Sequence, residues 1–218
     1  MVSIEKLESD IKSKKFSSIY LFYGEELYLL EFNVKKIIKS FGTIMQGINY
    51  VTIDESNLKS IISEIQTPAF GYEKKLIVVK NSNLFQKPGK KKNLEIEDIK
   101  EKLNSYINEN MKQISKTCMI LFIEDKAESS ATLTKIVDKC GTVCRFDYQK
   151  PIEIGKRLKS ICNAYKVEID GATLQYFIES CGTNMQDLIN EIRKLIEYVG
   201  ENRKNKKRRY RFVINKKA

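Results

Sequence analysis

With 218 residues, 42% hydrophobic and 31% charged, the chain has the composition of an ordinary globular protein, enough for one large domain or two modest ones. It holds no histidine, which removes the commonest general base and the usual catalytic triads. No apolar run nears the ~20 residues of a membrane span and residues 1–15 are charged throughout, so neither a membrane partner nor a secretory signal is expected, and the expected location is cytoplasmic.

The net charge of +11 is unevenly spread. Residues 203–218 carry nine Lys or Arg and no acid, which leaves the rest of the chain near neutrality. The five cysteines (Cys118, Cys140, Cys144, Cys162, Cys181) are odd in number and scattered, as reduced thiols are. A zinc site would need four of them, and only Cys140 and Cys144 lie close, so no metal or cofactor is expected.

In chain order, Ile4 to Lys14 has the spacing of an amphipathic helix and Ile19 to Tyr23 that of a strand. Glu25 to Phe41 is predicted helical, with Glu25 and Glu26 in its first turn, where the helix dipole favours acids, and Gly42 closing it. Asn49 to Ile53 is a second strand. Leu58 to Gln66 is a helix, which Pro68 cannot continue, and Gly71 permits a sharp turn before the apolar strand Leu76 to Val79. Phe70 and Tyr72 stand in that turn. Two readings of Phe70 remain: it folds back onto the core, or it is a recognition knob held up on a rigid corner.

Asn83 to Asn93 reads as an exposed, mobile loop around Pro88-Gly89. A polar helix over Glu95 to Asn110 leads to the strand Cys118 to Ile123. A helix from Ala131 to Lys139 leads to the strand Thr142 to Phe146. Strand–helix alternation of this kind implies an α/β domain around a mostly parallel sheet. At Pro151 the pattern changes to three helices without strands: Ile152 to Tyr165, Asp170 to Cys181 and Asn184 to Tyr198, the last two ended by Gly182 and Gly200. The expected organisation is an α/β domain over 1–149, a small three-helix domain over 150–200 and a basic tail over 201–218.

An α/β domain followed by a helical lid is the plan of an AAA+ ATPase. A P-loop needs glycines to bring backbone N–H groups onto phosphates, a Lys for their charge and a Ser/Thr on magnesium. The turn after the first strand, Gly24 to Leu30, has one glycine, no lysine and two carboxylates where phosphates would sit. ATP binding there is not expected. Glu124 and Asp125, after the apolar run Ile120 to Ile123, look like the acids of a Walker B strand. Without a P-loop they have no magnesium–nucleotide to hold.

Three blocks resemble the delta subunit of bacterial DNA polymerase III, the clamp-loader subunit that binds and opens the sliding clamp. Ile19 to Leu30 looks like that family's opening. Pro68-Ala-Phe-Gly-Tyr-Glu-Lys-Lys-Leu-Ile-Val-Val79 resembles its clamp-contact motif running into the next strand. Gly182 to Leu195 is similar to the third helix of its lid domain. The resemblance implies an AAA+-like parallel-sheet domain without a functional P-loop, followed by a three-helix lid. It also implies a non-catalytic subunit of a DNA-directed DNA polymerase holoenzyme, a nucleotidyltransferase machine acting in DNA replication. Its partners would be the sliding clamp (the beta subunit), the other clamp-loader subunits and, indirectly, primed DNA.

On this resemblance the clamp-binding residues are Pro68, Ala69, Phe70, Gly71 and Tyr72, with Phe70 as the aromatic anchor. Ala69 departs from the family, which tends to place a large apolar residue there, and Tyr72 supplies part of the missing surface. The family's C-terminal collar domain, which joins the subunits into a ring, has no counterpart after Val199, so contacts with those subunits are expected to be weakened. Either the basic tail is genuine or it is the product of a one-nucleotide frameshift. In A/T-rich codons for Asn202 to Phe212, dropping one A after the first codon yields Asn-Gly-Lys-Ile-Lys-Lys-Glu-Asp-Ile-Asp, an acidic helix start; the coding DNA separates the two. Two other function classes compete: a nucleic-acid-binding protein using the tail, marked by salt-dependent binding lost with the tail, and an AAA+ ATPase, marked by ATP binding.

Overall fold

The computed structural model describes residues 4–87, 93–199 and 204–205. The chain divides into two compact units, Met1–Asp147 and Tyr148–Ala218.

In the first unit, α1 (Ile4–Ser13) and β1 (Ile19–Tyr23) are followed by α2 (Leu27–Phe41), β2 (Tyr50–Ile53), a 3₁₀ turn (Glu55–Ser60) and α3 (Ile61–Gln66). Then come β3 (Lys75–Lys80), α4 (Leu94–Thr117), β4 (Cys118–Glu124), α5 (Thr132–Cys140) and β5 (Thr142–Arg145). The five strands form one parallel sheet in the order β2-β3-β4-β1-β5. Helical crossovers cover both faces of such a sheet, so its central strands lose the usual polar alternation. Leu76, Ile77, Val78 and Val79 of β3 are all fully buried. Ile77, Val79, Ile120 and Phe122 pack in one core cluster with Ile61 of α3, Leu103 and Ile107 of α4 and Val137 of α5.

Most boundaries fall within a residue or two of the sequence reading, and the larger differences are these. Helix α2 begins at Leu27, with Glu26 at the cap position, so neither Glu25 nor Glu26 lies in the first turn. The helix expected from Leu58 is a 3₁₀ turn up to Ser60, because the Asp54 side chain accepts the Ser56 N–H and the Asn57 side chain accepts the Asp54 N–H, a capping box that starts the coil early. Helix α4 runs on to Thr117 and enters β4 directly. Of the loop expected to be exposed and mobile, Pro88 to Lys92 lies outside the described residues, but Leu84 and Phe85 are fully buried. The Phe85 ring meets Phe122 edge-on at 4.9 Å. Hydrophobic burial outweighs the polar composition around these two residues.

The second unit holds α6 (Pro151–Ala164), β6 (Glu168–Ile169), α7 (Gly171–Cys181), α8 (Met185–Val199) and β7 (Lys204–Asn205). Its core is built from Ile154, Leu158, Phe177, Leu188, Ile192 and Leu195, all fully buried. The expectation of helices without strands fails at β6, which pairs in parallel with β7. Two residues leave no periodicity to read. Gly200 as a helix stop, and the tail beyond Asn205, lie outside the described residues.

Candidate functional site: an aromatic corner at the amino end of the sheet

The two ends of the parallel sheet differ in what they present. At the carboxyl end, where nucleotides bind in open α/β folds, the turn after β1 is occupied by the protein's own backbone. Gly24 has φ +133°, and a Cβ built on it would lie 2.2 Å from the carbonyl oxygen of Phe146. That carbonyl accepts the N–H of Glu26 at 3.0 Å, while the Phe146 N–H donates to the Tyr23 carbonyl at 2.8 Å. The Leu27 N–H donates to the Glu25 carbonyl. Two backbone donors of this turn, the Glu26 and Leu27 N–H groups, are thus spent within the chain.

Glu124, the Walker-B-like acid, is likewise engaged. It is buried at the end of β4 and accepts from the Ser82 hydroxyl, from the Ser82 N–H at 3.0 Å and from the Asn83 N–H at 3.3 Å. Burial pushes its carboxyl above the usual range, and the Ser82 hydrogen bonds oppose that shift. Its work is to fasten the segment leaving β3. Among the described residues no group of three or more Cys, Asp or Glu is placed to hold a metal, and all five cysteines are free thiols.

At the amino end stands the corner between α3 and β3. Thr67 closes α3, its N–H and hydroxyl both donating to the Ser63 carbonyl. Pro68 prevents another helical turn. The Tyr72 N–H then donates to the Ala69 carbonyl at 3.1 Å, and Gly71 takes φ +79°, the geometry of a type II β-turn with Phe70 at its second position. A phenylalanine there has nowhere to fold. Its side chain is 90% exposed, more than any other large hydrophobic residue described. Pro68 and Gly71 are exposed, and Ala69 and Tyr72 are half-buried.

The corner is anchored by a lysine that sequence pattern alone did not single out. Lys75, the first residue of β3, is only 2% exposed, yet its Nζ donates to the Glu64 carbonyl and to Glu64 Oε2, both at 3.0 Å. This ties the start of β3 to the end of α3. A charge buried that deeply persists only where it is paired and hydrogen-bonded. Lys74 adds a second tie, donating to the Ser115 carbonyl near the end of α4 at 2.8 Å. A lysine pair beside an apolar run reads in sequence as a solvated edge, which is why the anchor is invisible there. The five expected site residues therefore share one turn, and Lys75 and Glu64 are added as the groups that hold it.

The sequence model of the family described as DNA polymerase III, delta subunit, matches residues 20–147. A DNA polymerase III subunit delta from Bacillus subtilis (strain 168) is 23% identical over 195 residues, covering 88% of this chain and 55% of that protein. Among solved structures, a Bacillus subtilis DNA clamp loader delta protein superposes with a TM-score of 0.69 at 18% identity, over 96% of this chain and 61% of that one. A Thermotoga maritima RuvB structure gives 0.49 at 14% identity, over 96% and 65%. The chain thus spans little more than half the length of the delta proteins it matches. The fold is a five-stranded parallel sheet followed by a helical unit, and the chain belongs to the DNA polymerase III delta subunit family.

Proposed function

We propose that this chain is a clamp-loader delta subunit that binds and opens a sliding clamp for loading onto primed DNA, with Pro68, Ala69, Phe70, Gly71 and Tyr72 as the clamp-contact corner. The observation that carries the reading is Phe70 itself, an aromatic side chain 90% exposed on a turn pinned from both sides. Exposing a Phe costs roughly 1.5–3 kcal/mol of forgone burial, a cost recovered when a partner's apolar pocket receives it. Family membership supports a sliding clamp as that partner. The subunit works without chemistry of its own, in the cytoplasm, and meets primed DNA and the other clamp-loader subunits through the assembled loader. The helical unit, residues 148–199, serves as the lid domain.

Titration of the same cell's purified sliding clamp against this chain tests the proposal. Saturable binding competed by a peptide spanning residues 66–74 is the expected result, and no binding at tens of micromolar clamp refutes it. Calorimetry with ATP and magnesium is expected to give no saturable heat, since the Glu26 N–H is already committed to Phe146 and no lysine stands in the turn.

A further inference from the structure

We infer that the loop between α2 and β2 forms a second contact for the partner that receives Phe70, so that the two make one continuous docking surface along the amino end of the sheet. The inference rests on the clamp reading above. Ile44, Met45 and Ile48 are 40%, 48% and 36% exposed, three large apolar side chains within five residues. Single exposed apolar residues are ordinary, whereas a cluster held in place marks an interaction surface. This cluster is held. Buried Asn49 accepts the Met45 N–H on Oδ1 at 2.6 Å and donates from Nδ2 to the Thr43 carbonyl at 2.9 Å. The Met45 carbonyl accepts the N–H groups of Ile48, Asn49 and Tyr50, and the Gly47 N–H donates to the Tyr50 carbonyl. These bonds hold the loop in the form that leaves the three side chains at the surface.

The loop is also joined to the corner. The Asn49 carbonyl accepts the Leu76 N–H at 2.8 Å, which fixes the loop against the first turn of β3. An open cleft of about 550 Å³ has Thr43 and Asn49 among its lining residues, together with Tyr72, Glu73 and Lys74 of the corner. Interface size decides the occupant. A buried Phe contributes about 150–250 Å², against the ≈1,000 Å² or more that a specific protein interface needs. A protein seated on Phe70 must therefore spread over neighbouring surface, and this loop is apolar and already ordered. Preorganisation spares the ordering cost on binding, and Met45 suits a surface that must mould to its partner.

The test replaces Ile44→Ser, Met45→Ser and Ile48→Ser together and titrates the variant with the sliding clamp beside the unaltered chain and Phe70→Ala. A tenfold or greater loss of affinity at an unchanged melting temperature is expected. Unchanged affinity in the triple variant, with Phe70→Ala still weakened, overturns the second contact and leaves the clamp reading standing. No clamp binding by the unaltered chain overturns both. Should the triple variant unfold, benzoylphenylalanine in place of Met45 is irradiated with the clamp. A cross-link to clamp is expected, and its absence, where the same group in place of Phe70 does cross-link, overturns the inference.

Discussion

The corner at Phe70 and the turn at Gly24 sit at opposite ends of the same sheet and have been treated in opposite ways. At Gly24 the Glu26 and Leu27 N–H groups are satisfied internally and the glycine is roofed by the Phe146 carbonyl, so the turn itself is filled by the protein's own backbone. Around Phe70 the backbone is tied at the flanking residues Thr67, Ala69 and Tyr72, but the Phe70 side chain is left in water. Rigidity serves stability at one end and presentation at the other. One parallel sheet thus carries two differently finished ends, and on the proposed clamp reading the use lies with the shaped surface at the amino end.

The largest effect that sharpens this contrast is at Gly24. Gly24→Ala forces a Cβ onto the Phe146 carbonyl at a backbone angle that favours glycine, and the expected loss is about 3 kcal/mol or more of folding stability, roughly 6–12 °C in melting temperature. An undiminished melting temperature means that Phe146 does not roof the turn. Phe70→Ala comes next, with the loss appearing elsewhere. Clamp affinity is expected to fall by about 2 kcal/mol, close to thirty-fold, because aromatic anchors dominate such interfaces. Melting should shift by less than about 1 °C, since the ring has few contacts to lose. A large thermal loss with clamp affinity intact would erase the distinction between the two ends.

Glu124 offers a smaller, pH-dependent effect. Its folded carboxyl is held above the ordinary 4.5, so its contribution to stability is fully present below that value and is lost as pH rises through the folded pKa. Denaturant titrations at pH 4 to 7 should therefore show Glu124→Gln gaining on the unaltered protein as pH rises. A parallel pair of curves contradicts it. Smallest is Ala69→Leu, which enlarges the apolar surface next to Phe70 in the turn and is expected to tighten clamp binding by a few-fold, about 0.5–1 kcal/mol, in the same titration. Looser binding would show that the turn has no room for a larger residue.

The sheet was legible because buried parallel strands announce themselves: Leu76 to Val79 and Ile120 to Phe122 are unbroken apolar runs. The corner was legible in its punctuation, Pro68 and Gly71, but not in its outcome. Residue type alone leaves Phe70 undecided between core and surface, and only the turn geometry places it outside. Lys75 and Glu124 were illegible for a common reason. Each is a charged residue at a strand end, where solvation is the ordinary expectation, and each proves buried because a partner distant in sequence satisfies it. The Leu84–Phe85 pair carried a signal, two adjacent apolar residues, that the surrounding Asn and Lys obscured. Strand β6 carried none, being two residues long.

The strand that follows the corner has a mechanical consequence. Because β3 is laddered on one side to β2 and on the other to β4, all in parallel, a pull on Phe70 directed along that strand loads both ladders in shear. Many hydrogen bonds must then stretch together instead of parting one by one, as they would if an edge strand were peeled away. At the far end of β3 the Ser82 and Asn83 N–H groups are moored to Glu124, and at the near end Lys75 is moored to Glu64. Phe70 is thus the head of a bolt that runs within the sheet and is fastened at both ends, a fixture fit to transmit force without giving way.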